Sequence, residues 1–440
     1  MRMRVCHAAL GIVLLAQIAA VAGAQDTTGV RLGLTYAAGT KPGVIVLPVR
    51  DDYDDSLRVI VNRDFDYSDR LNPIVLDDIT LSGLVPRPGG ELNYAVAAGF
   101  GAALVVHMDP TPSGLQVTAY DVGAKKLLQT EHFLFDRRDR DWRFALHGVS
   151  DQVEKWVFGK RGIAQTRIAY IANGTLRIVD SDGAVTHTIT TGRGALSPAW
   201  SPTGESIVFT VLGNTGTQVH QLDVRTGRTR RISQISTGLN ITPIYQPDGN
   251  AILYAQGTGN GTDLILASLD SSERRRLTLG RGSDNTNPSY SPDGSQIAFI
   301  SGKSGQPQVY IMDADGSNVQ LLTTYRPGVR SYRSSPDWSP DGRFITYQQQ
   351  MGNFQIWMMD LRDRIPKQLT SEAENEDPSW APDSRHIVFA STRSRQKQLW
   401  VLDTESGRMR QLTRTPGARL AAWSPILANP EVGTYTQQDR

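Results

Sequence analysis

The residues of this chain that could do chemistry are few and scattered. Seven histidines occur (His7, His107, His132, His147, His187, His220 and His386), and no two share the spacing of a metal-binding pair. Each reads more simply as a surface or packed residue. No Gly-x-Ser-x-Gly nucleophile turn is present. "SGKSG" at Ser301–Gly305 matches the end of a phosphate-binding loop, but Ile297 stands where that loop needs its first glycine. "EAENEDPSW", Glu372–Trp380, sets Glu374, Glu376 and Asp377 close together. Two carboxylates facing each other across a cleft could serve a glycosidase, yet the sequence marks no facing partner. No catalytic residue, cofactor or metal is expected. A secreted hydrolase or lyase using channel carboxylates, or a carbohydrate-binding protein, stays open as the alternative.

A further set of carboxylates recurs in turns. "PSYSPDGSQIAFIS" starts at Pro288, "PAWSPTGESIVFT" at Pro198, "PIYQPDGNAILYA" at Pro243, "PDWSPDGRFITYQ" at Pro336 and "PSWAPDSRHIVFA" at Pro378; a shortened "AAWSPIL" starts at Ala421. One aspartate per turn lacks the several oxygens that calcium needs. These residues are turn formers. Pro292 presets φ for the first corner, Asp293 can bond its own backbone, and Gly294 takes positive φ without a Cβ clash.

The elements that must hold these turns follow from their spacing. The aromatic residues before them are Trp200, Tyr245, Tyr290, Trp338, Trp380 and Trp423, at gaps of 45, 45, 48, 42 and 43 residues. That period, filled with short strands, predicts a β-propeller with four strands per blade. Apolar runs such as "IAFI" suit strands covered on both faces. The Pro-Asp-Gly turn then joins the innermost strand of a blade to its second. Arg167–Ile171, Leu176–Asp180 and Thr186–Thr190 read as strands two to four of a blade lacking its first, which "AAWSPIL" supplies. The count is six blades, closed end to end so that no sheet edge stays open.

Residues 43–160 have another rhythm. "GVIVLPV" reads as a buried strand. Leu57, Ile60, Val61 and Phe65 lie at helical spacing, and "ELNYAVAAGFGA" predicts a helix. "ALVVHMD" predicts a strand, and "LQVTAYDV" with "KLLQTEHFLF" a hairpin. Trp142, Leu146, Val149, Val153 and Trp156 form the stripe of a last helix ending at Gly159. The expected fold is two-domain: a small N-terminal α/β domain, then an all-β six-bladed propeller over 161–430 closed by the C-terminal strand, with 431–440 as a tail.

Arg2, Arg4, the apolar run Ala8–Ala22 and "AGA" at Ala22–Ala24 read as a signal peptide over 1–24, with maturation at Gln25 and a periplasmic destination. Cys6 precedes the apolar run, so it is not a lipidated cysteine, and the mature chain has none to form a disulfide. A formal charge of +2 gives no support to nucleic-acid binding, which needs a basic surface. A monomer without membrane insertion is expected.

With these features in place, the chain resembles the TolB family, the periplasmic component of the Tol–Pal envelope system. "VRLGLTYAAGTKPGVIVLPV" (Val30–Val49), "VIVNRDFDYSDRLNPI" (Val59–Ile74), "GFGAALVV" and above all the junction "SDQVEKWVFGKRGIAQTRIAYI" (Ser150–Ile171) carry the resemblance. It implies a non-enzymatic interaction protein linking the outer-membrane lipoprotein Pal to TolA of the inner membrane. Such a protein supports outer-membrane integrity and constriction at division, and colicins or other outer-membrane proteins can also bind it. The implied Pal face lies on the loops leading into the innermost strands: Arg193, Leu239, Asn240, Thr242, Asp284, Asn285, Thr286, Tyr332, Arg333, Asn375 and Glu376, with Arg330, Glu374 and Asp377 beside them. "DNTNP" matches the family's Pal-contact loop, and Thr286 is its best carry-over. "GLNITP" departs from the family, which carries a histidine at Leu239 and an alanine at Thr242. The implied TolA segment is 25–42, with Gln25, Val30, Arg31, Leu32, Leu34 and Tyr36 in it; Val30, Leu32 and Leu34 alternate with polar or small residues, which suits strand addition.

Overall fold

Four apolar residues in a row, "GVIV", form strand β1 (Gly43–Val46), buried on both faces. The computed structural model describes residues 41–52, 54–84, 92–189, 194–235, 237–280, 283–323 and 332–427. β1 runs parallel to β2 (Asn72–Pro73) and β3 (Ala102–Thr111), which continues antiparallel through β4 (Gly114–Asp121) and β5 (Lys126–Leu134). Helices α1 (Ser56–Ser68) and α4 (Trp142–Phe158) cover one face of this sheet. Their stripes, Leu57, Ile60, Val61 and Phe65 with Leu146, Val149 and Val153, pack on Val44, Val46, Leu104 and Val106. α2 (Asp78–Ser82) and α3 (Tyr94–Gly99) pack near Ile45, Leu47 and Val105 on the other. α4 stops where Gly159 turns to φ 74° and its N–H bonds to the Lys155 carbonyl, a glycine C-cap. Two details depart from the expectation. The helix in "ELNYAVAAGFGA" spans only Tyr94–Gly99, because Asn93 caps its start through the Val96 N–H and Phe100 closes it. α2 is a short helix of five residues, too brief to leave a periodic pattern.

The rest is the predicted propeller, six four-stranded antiparallel sheets. Blade 1 is Ala195–Trp200, Ser206–Leu212, Thr217–Asp223 and Thr229–Arg231. Blades 2 to 5 begin at Asn240, Asn285, Arg333 and Asn375. Blade 6 joins Ala418–Trp423 to Arg167–Ala172, pairing Ala418 with Ala172 and Trp423 with Ile168. The Pro-Asp-Gly turn is built as its residues dictate: Gly294 sits at φ 71°, and Asp293 accepts the Ser295 N–H at 3.0 Å and the Ser291 hydroxyl at 2.6 Å. The strand "IAFIS" after it is buried throughout.

Polar staples tie strand to strand and blade to blade. The Ser or Thr closing the fourth strand of blades 1 to 5 (Ser233, Thr278, Thr323, Thr370, Thr413) accepts a backbone N–H of the third strand at 2.9–3.3 Å. This explains why "QLT" recurs. Residues just before the turn aromatic reach across blades: Ser289 accepts the Trp338 N–H (3.0 Å), Asp337 the Trp380 N–H (2.7 Å) and Ser379 the Trp423 N–H (3.1 Å). Each innermost strand also bulges at Ser197, Thr242, Asn287, Ser335, Asp377 or Leu420, all at φ between 45° and 53°.

The N-terminal domain docks on blades 5 and 6 through charges. Arg63 and Arg143 pair with Asp182, Arg70 with Asp383, and Arg408 with Asp66; Arg410 lies over the Tyr67 ring at 4.2 Å. These contacts use the turns between first and second, or third and fourth, strands. In an antiparallel blade those turns share one end, and the loops between blades share the opposite end with the second-to-third turns. The loops implied as a partner face therefore point away from the N-terminal domain.

Candidate partner-binding face

The loops between blades are welded to the neighbouring blade. The tip of blade 1 bridges the start of blade 2 (Gly216 to Gly238), and blade 2 bridges blade 3 (Thr262 to Asp284). Asn240 donates its amide to the Thr217 carbonyl at 2.7 Å, while its own N–H reaches the Thr217 hydroxyl at 2.7 Å. Asn285 repeats the pattern on Thr262, at 3.1 Å for both bonds. Asn375 donates to Gln355 (2.9 Å) and to the Glu372 carbonyl (2.8 Å) and accepts from Arg393 (3.2 Å). All three asparagines are buried. Arg333 is buried too, bonded to Gln349 and Gln308, and burial lowers its pKa. These four residues hold the loops in place from inside the seams between blades, which differs from their expected exposure on the face.

Leu239, Asp284 and Tyr332 do stand exposed at this end, Thr286 and Glu376 are half-buried there, and Lys397 pairs with Glu376. Thr242 sits deeper, at a bulge lining the channel, where its hydroxyl accepts the Asn287 N–H at 3.1 Å. Arg193, Arg330 and the whole of Gln25–Tyr36 lie outside the described residues.

Sequence reading missed two apolar anchors. Leu212 and Met351, 59% and 57% exposed, cap the second-to-third turns of blades 1 and 4 at the same end. Tyr332 meets Phe354 edge-on at 5.6 Å beside Met351. A signal was present: a large apolar residue directly before a turn glycine, in Leu212-Gly213 and Met351-Gly352, stands where a solvated turn calls for a polar side chain.

The channel itself encloses a cavity of about 430 Å3 lined by Ser197, Thr242, Asn287, Ser335, Asp377 and Leu420 among others. It holds two carboxylates of the kind a catalytic reading needs. Burial raises Asp337 to about 6, and burial with neighbouring Glu376 raises Asp377 to about 6. Both are already bonded to neighbouring blades: Asp337 to the Trp380 N–H and the Ser289 hydroxyl, Asp377 to the Leu420 N–H at 3.3 Å and the Ser335 hydroxyl at 3.3 Å. Among the described residues, no three His, Cys, Asp or Glu side chains are placed to hold a metal. His147 and His386 are buried against Asp64 and Asp383 at 2.8 Å, and His220, His187, His132 and His107 each have a local polar neighbour.

Residues 154–427 match the family model of the TolB beta propeller domain. The chain is similar to the Tol-Pal system protein TolB of Gluconobacter oxydans, 26% identical over 238 residues, covering 50% of this chain and 52% of that protein. It is also similar to the Tol-Pal system protein TolB of Polaromonas naphthalenivorans, 34% identical over 98 residues, 21% and 23% of the two chains. The chain thus spans about half or less of the length of these relatives. In structure it is similar to TolB from Acinetobacter baumannii, with a TM-score of 0.76 and 25% identity over 88% of this chain and 97% of that one. A chain of the nidogen/laminin complex, at 9% identity and a TM-score of 0.50, shares the propeller fold alone. By the match over 154–427 and the two-domain likeness to a solved TolB, this chain belongs to the TolB family.

Proposed function

We propose that this protein is a non-enzymatic component of a Tol–Pal system, working in the periplasm. On this reading the propeller end that points away from the N-terminal domain holds a Pal-like lipoprotein. The segment Gln25–Tyr36 binds a TolA-like protein of the inner membrane, and the link supports envelope integrity and constriction at division. The observation that carries the reading is the set of exposed anchors at one channel mouth: Leu212, Leu239, Tyr332 and Met351 beside Thr286 and the Glu376–Lys397 pair. Large exposed apolar and aromatic residues gathered on a rigid scaffold mark interaction surfaces. The commitment of Asp337 and Asp377 to backbone N–H groups weighs against a carboxylate enzyme.

The test is calorimetric titration of Gln25–Arg440 with the periplasmic domain of the Pal homologue from the same organism. One-to-one binding is expected, weakened by roughly 2 kcal/mol or more in Thr286→Arg, a loss of hot-spot size. Absence of binding by the folded wild-type chain would sink the reading and reopen the glycan and enzyme alternatives.

A further inference from the structure

The turn and outer strand of blade 1 read "DVRTGRTRR", Asp223–Arg231. Arg225, Arg228, Arg230 and Arg231 are all exposed; among the described residues none of them forms a salt bridge within 4 Å of a carboxylate, though at Asp223, against burial, the Thr226 bonds and the nearby Arg225 lower the pKa, and Arg230 donates to Gln221. The equivalent stretches of blades 3 and 6 carry aspartates and no Lys or Arg, and those of blades 4 and 5 mix their charges. Blade 4 sets Asp360 and Asp363 among Arg362, Arg364 and Lys367, and blade 5 has Asp403 and Glu405 beside Arg408, which pairs with Asp66. In blade 1 the one acid of the stretch, Asp223, is occupied by the Thr226 N–H (2.7 Å) and hydroxyl (2.8 Å). Glu205, whose carbonyl accepts the Val224 N–H, is the nearby carboxylate of the adjoining turn. Arg274 of blade 2 adds to the positive side: its guanidinium donates to the Ile232 carbonyl at 3.3 Å, which locks blade 2 against the end of this strand.

We propose that this outer rim of blade 1 is a peripheral docking surface for anionic phospholipid headgroups. Guanidinium groups match phosphate with paired donors, and clusters of four or more arginines are held by anionic lipid surfaces. The arginines lie on an outer strand and its turn, on the convex rim of the ring. A rim of exposed guanidinium groups can meet a flat array of headgroups along its length. The rim lies on the flank of the ring, so a partner at the channel mouth and a lipid surface can be held together.

The experiment is co-sedimentation of the folded full mature chain with vesicles of phosphatidylglycerol and phosphatidylcholine, against vesicles of phosphatidylcholine alone. Binding to the anionic vesicles is expected, lost in high salt and reduced at least tenfold in the combined variant Arg228→Glu, Arg230→Glu, Arg231→Glu. The same reversal at Arg362, Arg364 and Lys367 on blade 4 should leave binding within about twofold of wild type, on the same electrostatic grounds. Circular dichroism and thermal midpoints establish that both variants are folded. The proposal is overturned if wild type ignores the anionic vesicles, if the blade 4 reversal weakens binding as much, or if inorganic polyphosphate binds equally well in competition and so marks a soluble polyanion site. If the blade 1 variant fails to fold, the single change Arg231→Gln must still lower binding measurably; if it does not, the proposal falls.

Discussion

Single residues in this propeller act mostly on the backbone of a neighbour. Asp337 shows it well. Its sequence position, between Pro336 and the turn aromatic Trp338, gives no hint that its carboxylate serves the Trp380 N–H on the next blade. Asp337→Leu leaves that buried N–H unpaired and should cost about 1–3 kcal/mol, whereas Asp337→Asn keeps an acceptor there and should cost markedly less. Denaturant unfolding of the two variants reads the difference, and equal losses would show that the carboxylate's charge matters more than its hydrogen bond. The turn aspartates, by contrast, were legible as structural residues, because a Pro-Asp-Gly turn is a local solution and its bonds close within a few residues. Asn240, Asn285 and Asn375 were not. Each opens the innermost strand of its blade straight after a polar loop, where exposure is the ordinary expectation, and only the neighbouring blade turns it inward.

At the scale of elements, the joint between the domains has the most unusual chemistry. His147 on α4 lies between Asp64 of α1 at 2.8 Å and Asp182 of blade 6 at 3.6 Å. Burial opposes its charge, but Asp64 by charge and hydrogen bond, with Asp182 beyond, outweighs it and raises the imidazole from 6.5 to about 9. A histidine raised in this way stabilises the fold fully below its unfolded pKa and loses that contribution as pH rises through the folded value. Burial also raises Asp151 and Glu154, in the same helix, to about 7, so each favours the fold while protonated. These groups pull in one direction. The thermal midpoint should fall by several degrees between pH 6.5 and 9, and His147→Gln should flatten that slope. The variant should also be less stable near pH 6 by about 3–5 kcal/mol, as when a buried ion pair loses one partner, since Asp64 keeps the Ser150 hydroxyl but loses the imidazolium it bonds at 2.8 Å. A slope unchanged in the variant would place the titration elsewhere. The helices themselves were readable from their stripes. The docking between α1, α4 and blades 5 and 6 was not, because its charged residues look like any solvated helix face until the second domain covers them.

The whole molecule depends on ring closure. The last described strand completes a blade begun some 250 residues earlier, and several bonds hold it there. The Trp423 indole donates to Thr166 (2.8 Å), the Trp200 indole to the Ala422 carbonyl (3.1 Å), and Ser424 exchanges bonds with Arg167 (3.0 and 2.8 Å). A chain ending at Gly417 loses all of these and bares the edge of Arg167–Ala172, which invites pairing between chains. It should elute as dimers or larger species in size-exclusion chromatography and unfold without a single sharp transition. A monomer with an unchanged midpoint would mean that blade 6 closes without its first strand.

The sequence by itself determined the blade count, the strand order within each blade, the closure of the ring and the α/β character of the first domain. These rest on local rules that repeat: a turn that only Pro, Asp and Gly make cheaply, apolar runs of strand length, and stripes at helical spacing. Tertiary structure alone decided which loop residues face outward, that Leu212 and Met351 join Leu239 and Tyr332 at one end, and that the N-terminal domain docks at the opposite end, on blades 5 and 6. The reason is physical. A strand or turn is specified by neighbours along the chain, but exposure and partnership are set by what packs across a gap. In this fold those neighbours are usually a blade away, some 45 residues along the chain.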